Sequence, residues 1–115
     1  MELLREIIAD AAKRKIALGH FNISDIAGLK AVIEAALEVS KEAGEKVPVI
    51  IGTSEGEREF IGVENAVTLA RNMREEFGHP IFLNADHTYS LDKVREAALL
   101  GYDSFIFDGA KLSLE

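Results

Sequence analysis

The chain has 115 residues, 48% of them hydrophobic, and a formal net charge of -7. This length suits one domain, residues 1–115, with its own core. The acidic balance argues against a nucleic-acid partner, which needs a basic footprint, and the lack of cysteine excludes disulfides and thiolate metal ligands. No apolar run approaches the ~20 residues that span a bilayer, and residues 1–6 do not resemble a signal peptide. We therefore expect no membrane partner and a cytoplasmic location.

Apolar residues recur at helical spacing in four segments and form strand-length runs in four others. In chain order these predict a helix over 3–13, a strand over 16–23, a helix over 26–43, a strand over 47–51, a helix over 63–77, a strand beginning at Ile81, a helix over 91–100 and a strand over 104–107. Ser24 or Asp25 is expected to cap the second helix and Ser90 the last. Residues 52–56 are expected to form a flexible loop.

Alternation of strands and helices with short connections predicts an α/β fold with a parallel sheet. Two architectures accept this order: an open four-stranded sheet, and half of a (β/α)₈ barrel, whose complete form takes ~250 residues. The strand ends carry polar residues, namely Asn22, Ser54, Asp86 with His87, and Asp108. Because barrel strands deliver these ends to one mouth, the pattern favours the half-barrel, an N-terminal helix followed by four parallel strands and three connecting helices.

Asp86 and His87 are the strongest candidate pair. A neutral imidazole is a common metal ligand, and a carboxylate beside a metal can transfer protons. The alternative is that Asp86 is a helix N-cap followed by an incidental histidine, and spacing alone does not separate the two. His20, within a strand, and His79, beside a proline, are expected to be structural or solvated.

The other strand-end residues also admit two interpretations. Asp108 could bring a second carboxylate to the mouth, although Asp-Gly is common in ordinary turns. Ser54, within Gly52–Gly56, could help to bind phosphate oxygens through hydroxyls and backbone N–H groups. Asn22 could project into the mouth or cap the following helix. The charged run Glu55, Glu57, Arg58 and Glu59 is most simply a solvated loop.

Four motifs in this order resemble the class II, zinc-dependent fructose-bisphosphate and tagatose-bisphosphate aldolase family. They are Gly19–Ile23, Val47–Ser54, Leu83–His87 and Gly101–Ala110. The resemblance covers essentially the whole chain and implies a reversible aldol cleavage of a ketose bisphosphate to dihydroxyacetone phosphate and an aldehyde. It implies Zn²⁺ as the cofactor and a phosphorylated sugar as the substrate.

The resemblance also implies roles for individual residues. Asp86 matches the catalytic acid/base carboxylate and His87 the first zinc-ligand histidine, while Asp108 matches a carboxylate near the metal. Asn22 and Ser54 match positions that contact substrate, Ser54 near a phosphate. One departure is Asn84, which stands where members commonly carry a histidine.

A second departure concerns the ligands that the resemblance places in the family's second half, namely two further histidines and the Gly-rich phosphate loops. Because a catalytic zinc site needs three protein ligands, we expect this chain alone to bind zinc weakly and to be inactive or nearly so. Half a barrel also leaves two unpaired sheet edges. We therefore expect a homo-oligomer or pairing with a complementing C-terminal half, and the alternative function is a non-catalytic half-barrel module that self-associates.

Overall fold

The computed structural model describes residues 2–115. Its elements are helix α1 (Leu4–Arg14), strand β1 (Gly19–Asn22), helix α2 (Ile26–Ala43), strand β2 (Val49–Thr53), helices α3 (Glu55–Ile61) and α4 (Val63–Phe77), strand β3 (Ile81–Thr88), helix α5 (Leu91–Leu100) and strand β4 (Ser104–Phe107). The four strands form one sheet in the order β1-β2-β3-β4, and all three pairings are parallel. The predicted α/β architecture with four parallel strands is confirmed. No helix of the described part is long and apolar enough to cross a bilayer.

Local sequence signals set the helix boundaries. Asp25 caps α2 by accepting a hydrogen bond from the backbone N–H of Gly28 at 2.7 Å, and Ser90 caps α5 by accepting one from Lys93 N–H at 3.3 Å. Such caps satisfy backbone donors that have no partner within the helix. At the other end, α2 and α5 stop at glycines in the left-handed conformation, Gly44 and Gly101.

The two faces of the sheet have different coverings. One face packs against α2, α4 and α5 and carries the main core, which includes Leu29, Ile33, Ile51, Ile81 and Leu83. On the other face, Phe82 packs with Leu4 and Ile7 of α1 and against the partly buried Leu18 and Ile50. Because side chains alternate along a strand, Asn84 and Asp86 follow Phe82 on this second face. This face is therefore apolar where α1 covers it and polar toward the carboxyl ends of the strands.

The structure differs from the sequence prediction in three elements. Strand β1 starts at Gly19, since the N–H of Ile16 is used to end α1 by donating to Ala11 O at 3.0 Å. Strand β2 begins at Val49, after Pro48, which has no N–H to give to a sheet. The connection from β2 to β3 contains two helices, so four helices, and not three, link the strands.

The additional helix replaces the expected flexible loop at residues 52–56. Ser54 and Glu57 form a capping box, in which Ser54 N–H donates to Glu57 Oε2 at 2.6 Å and Glu57 N–H donates to Ser54 Oγ at 3.3 Å. This Ser-x-x-Glu pattern is a known start signal for a helix. The prediction of a flexible loop was therefore wrong, and the prediction of a solvated charge run was wrong for Arg58, which is buried, while Glu59 is exposed.

Candidate active site

The carboxyl ends of the strands bring polar side chains from three strands to one rim. Asn22 ends β1, Asp86 lies near the end of β3, and Asp108 follows β4. The Asp86 side chain is 14% exposed, while that of His87 is 59% exposed. The pair is therefore half sheltered by the sheet and half open to incoming molecules.

Asn22 links the rim across the sheet. Its Nδ2 group donates to Asp86 Oδ2 at 3.2 Å and to Glu57 Oε2 at 3.1 Å. An amide carries two N–H donors, so one Asn22 side chain can hold both carboxylates. Since the N-cap of α2 is Asp25, the interpretation of Asn22 as a helix cap was wrong, and its side chain lies at the rim.

Glu57 is a rim carboxylate that the sequence analysis did not single out. Burial raises the pKa of Glu57, but hydrogen bonds from Ser54 N–H, the Asn22 amide and the Ser54 hydroxyl outweigh burial and nearby Asp86, so its pKa is lowered. A lowered pKa keeps Glu57 ionised beside Asp86, with the Asn22 amide between them. The capping box was the sequence signal that could have placed Glu57 here.

His87 has an unusual backbone. Its φ is +47°, in the left-handed region, and it lies at a register shift between β3 and β4. For a non-glycine residue this conformation costs roughly 1–2 kcal/mol. It leaves His87 Nε2 at 3.9 Å from Asp86 Oδ2 and His87 Nδ1 at 3.9 Å from Asp108 Oδ2. The irregularity thus brings the imidazole between two carboxylates, where a regular strand would alternate adjacent side chains between faces.

Asp108 combines the two roles that its sequence allowed. Its Oδ1 accepts a hydrogen bond from Ala110 N–H at 3.0 Å, as in an ordinary turn. Its Oδ2 faces His87, and its backbone N–H donates to Thr88 O at 2.8 Å.

Asp86 is not a helix cap. It lies within β3, and α5 is capped by Ser90, so the interpretation of Asp86 as an N-cap was wrong.

Below the rim lies a second polar layer. Asn84 Nδ2 lies 3.1 Å from His20 Nε2, and Ser104 Oγ donates to Asn84 Oδ1 at 2.7 Å. Gly52 permits this arrangement, because a Cβ there would lie 2.4 Å from His20 Cε1. His20 is exposed and lies within this hydrogen-bonded layer, whereas His79 is structural, a buried side chain whose Nε2 lies 2.8 Å from Val47 O.

The rim does not form a complete zinc centre. Among residues 2–115 no group of three or more His, Asp or Glu side chains is placed to hold a metal ion. His87 is an exposed imidazole with a carboxylate near each ring nitrogen. This arrangement suits a histidine that supplies one metal ligand and is oriented by a neighbouring carboxylate. Because a catalytic zinc site takes three protein ligands, the described residues fit part of such a site and not the whole of it.

The fold and the rim together define half of a (β/α)₈ barrel with its polar residues at the carboxyl ends of the strands. Residues 2–115 match the fructose-bisphosphate aldolase class-II family, and the chain belongs to that family.

Among curated relatives, a fructose-bisphosphate aldolase of Geobacillus stearothermophilus is 30% identical over 110 residues, covering 93% of this chain and 36% of the relative. A fructose-bisphosphate aldolase of Helicobacter pylori is 31% identical over 111 residues, covering 96% of this chain and 34% of the relative. The chain thus spans about a third of the length of these proteins.

A solved structure shares the fold. The YdjI aldolase from Escherichia coli K12 superposes with a TM-score of 0.74 at 21% identity, covering 97% of this chain and 41% of that one. The predicted half-barrel fold is therefore confirmed.

Proposed function

We propose that the protein containing these residues catalyses reversible aldol cleavage of a ketose bisphosphate to dihydroxyacetone phosphate and an aldehyde. The observation that carries this proposal is the Asp86 carboxylate, largely buried at the carboxyl end of β3 and hydrogen-bonded to Asn22 Nδ2 at 3.2 Å. Family membership and the position of the rim at the carboxyl ends of the strands support it.

Asp86 is the proposed proton carrier. Cleavage breaks a carbon–carbon bond beyond the ketone, and the hydroxyl on the departing carbon must lose its proton to become an aldehyde. In this proposal the Asp86 carboxylate accepts that proton, and the electron pair of the broken bond stays on the ketone fragment as an enediolate. That fragment takes up a proton at carbon to give dihydroxyacetone phosphate, and condensation reverses these steps. Asn22 fixes the carboxylate by donating to Oδ2, so Oδ1 is the oxygen proposed to take up the proton. Asn22 and Ser54 are proposed to contact the substrate, Ser54 near a phosphate.

Zinc is the proposed cofactor of the whole protein. When bound, it would polarise the ketone and stabilise the negative charge left after cleavage. His87 would supply one ligand and Asp108 a nearby carboxylate, and the further ligands would come from outside residues 2–115. The 115-residue chain alone should therefore bind zinc weakly and show little or no turnover.

The test uses the full-length gene product that carries these residues. It should release a triose phosphate from fructose bisphosphate or tagatose bisphosphate, lose this activity to a chelator, and regain it with zinc. His87→Ala should weaken zinc binding in a calorimetric titration, while the control His79→Ala, altered at a buried structural histidine, should keep zinc affinity if it folds. Absence of cleavage with both sugars, or unaltered zinc binding in His87→Ala, would contradict the proposal.

A second candidate function rests on the sheet edges. Strands β1 and β4 each pair on one side among the described residues, and their apolar side chains remain about half exposed, namely Phe21, Phe105, Ile106 and Phe107. Open edges with apolar side chains favour pairing with another chain. We infer that the 115-residue chain alone self-associates or binds a complementing half-barrel. Sedimentation velocity should show a concentration-dependent dimer, and a monomer at all concentrations would contradict self-association.

A further inference from the structure

Arg58 is a buried cation next to the rim. Its side chain extends from α3, and the residue is 3% exposed. Among residues 2–115 no carboxylate lies within ion-pair distance of its guanidinium. A buried charge without a countercharge is unfavourable unless hydrogen-bond acceptors surround it, so the role of Arg58 depends on the groups that its guanidinium contacts.

The guanidinium instead connects the ends of two strands. Its Nη1 group donates to Thr53 O at the end of β2 and, at 3.1 Å, to Asp86 O in β3. Its Nη2 group donates to Thr88 Oγ1 at 3.2 Å. The planar guanidinium has several N–H donors in fixed directions, so it can hold all three acceptors at once.

These contacts lie on both sides of His87. The Asp86 carbonyl belongs to the peptide bond that precedes His87, and Thr88 follows it. Thr88 Oγ1 also donates to Ala85 O at 3.2 Å, which closes a short hydrogen-bonded loop around the irregular part of β3. A non-glycine residue keeps a left-handed backbone when its surroundings fix it, and here Arg58 supplies part of that fixation.

We propose that Arg58 is a positioning residue for the Asp86–His87 pair, holding the left-handed turn at His87 through the Asp86 carbonyl and the Thr88 hydroxyl. It does not touch the substrate. Without the guanidinium, His87 is free to return to an extended conformation, and the imidazole then leaves its place between Asp86 and Asp108. This inference rests on the proposed function for its effect on rate, whereas its effect on the backbone does not depend on that function.

The test compares Arg58→Met with Arg95→Met, which alters an exposed arginine on α5. In the isotopically labelled 115-residue chain, the ¹³Cα and ¹³Cβ resonances of His87 report its backbone conformation. Arg58→Met should move them toward extended values, and the thermal midpoint should fall because three acceptors lose their donor. In the full-length protein, kcat should fall by about 10- to 100-fold, as for other residues that orient the groups of a site without touching the substrate. Arg95→Met should leave the His87 resonances, the thermal midpoint and kcat unchanged.

Wild-type His87 resonances in a folded Arg58→Met would overturn the inference. Should that variant not fold, Arg58→Lys decides, because lysine keeps the charge but cannot span both strand ends. A positioning role predicts altered His87 resonances in Arg58→Lys, and wild-type resonances overturn it. If the wild-type protein cleaves no sugar bisphosphate, the proposed function fails, and the resonances still test Arg58.

Discussion

Gly52→Ala tests whether the second face of the sheet, which carries Asn84 and Asp86, needs an open space beneath the rim. A Cβ at this position would lie 2.4 Å from His20 Cε1 and 2.9 Å from Asn22 Oδ1. Ordinary contact begins at 3.4 Å, so the imidazole must move by about 1.0 Å (3.4 − 2.4) and the amide by about 0.5 Å (3.4 − 2.9). Both atoms are at the ends of side chains, so the backbone of β2 can stay in place.

Moving these two side chains breaks or weakens two hydrogen bonds. His20 lies 3.1 Å from Asn84, and Asn22 donates to Asp86 at 3.2 Å. Losing both costs about 2 kcal/mol at roughly 1 kcal/mol each, and replacing a glycine returns about 0.4–1 kcal/mol through the unfolded chain. The free energy of unfolding should therefore fall by only about 1 kcal/mol. Because Asn22, which holds Asp86, moves by about 0.5 Å, and a displacement near 1 Å can cost up to about 100-fold in rate, kcat/KM should fall by about tenfold.

The control is Gly56→Ala in α3, where an added Cβ meets nothing within 4 Å. It should leave kcat/KM unchanged and raise the free energy of unfolding by up to about 1 kcal/mol, since alanine is the better helix former. Urea unfolding of the 115-residue chain and cleavage assays of the full-length protein measure the two quantities. A Gly52→Ala protein with wild-type stability and a wild-type cleavage rate would refute the reasoning.

Three further predictions concern single groups. His87→Gly should exceed His87→Ala in the free energy of unfolding by about 1 kcal/mol, since glycine adopts positive φ without the Cβ penalty; equal urea midpoints would contradict the left-handed backbone. The folded-state pKa of Glu57 is below its ordinary 4.5, so its contribution to stability is present above pH 4.5 and lost as the pH falls through the folded pKa. Glu57→Gln should therefore lose less stability on acidification, and identical acid-unfolding curves would argue against this. Tyr102→Phe should cost about 1–3 kcal/mol, because the buried Thr53 hydroxyl loses its partner at 2.8 Å, and adding Thr53→Val should recover part of that loss in thermal unfolding. Simple addition of the two single losses would show that the hydroxyls do not interact.

Much of the fold could be predicted because its signals are local. Helices α2, α4 and α5 have the predicted bounds, since apolar spacing, caps and terminal glycines agree there. Helix α3 was missed although Ser54 and Glu57 carry its start signal, because the glycines at 52 and 56 suggest a loop. In the structure Gly52 serves a different need, the space for His20.

The candidate site could be predicted only in part. Polar residues at the ends of the predicted strands pointed to Asn22, Asp86, His87 and Asp108 as site residues, since parallel strands bring their carboxyl ends to one edge. The contribution of Arg58 could not be predicted, because it depends on which carbonyls lie near its guanidinium after folding. Likewise, the left-handed backbone at His87 coincides with a register shift between β3 and β4, and no local sequence signal predicts that shift.

The most direct test is the rate of sugar-bisphosphate cleavage by full-length Asp86→Asn set against Asp92→Asn. An asparagine at 86 can still accept the hydrogen bond from Asn22 but cannot take up a proton as a carboxylate does. Asp92 lies in the exposed first turn of α5. We predict that Asp86→Asn lowers kcat by about 10²–10⁴-fold, the usual contribution of a positioned acid or base, and that Asp92→Asn retains the wild-type value. Equal rates in the two variants would contradict the assignment of Asp86 as the proton carrier.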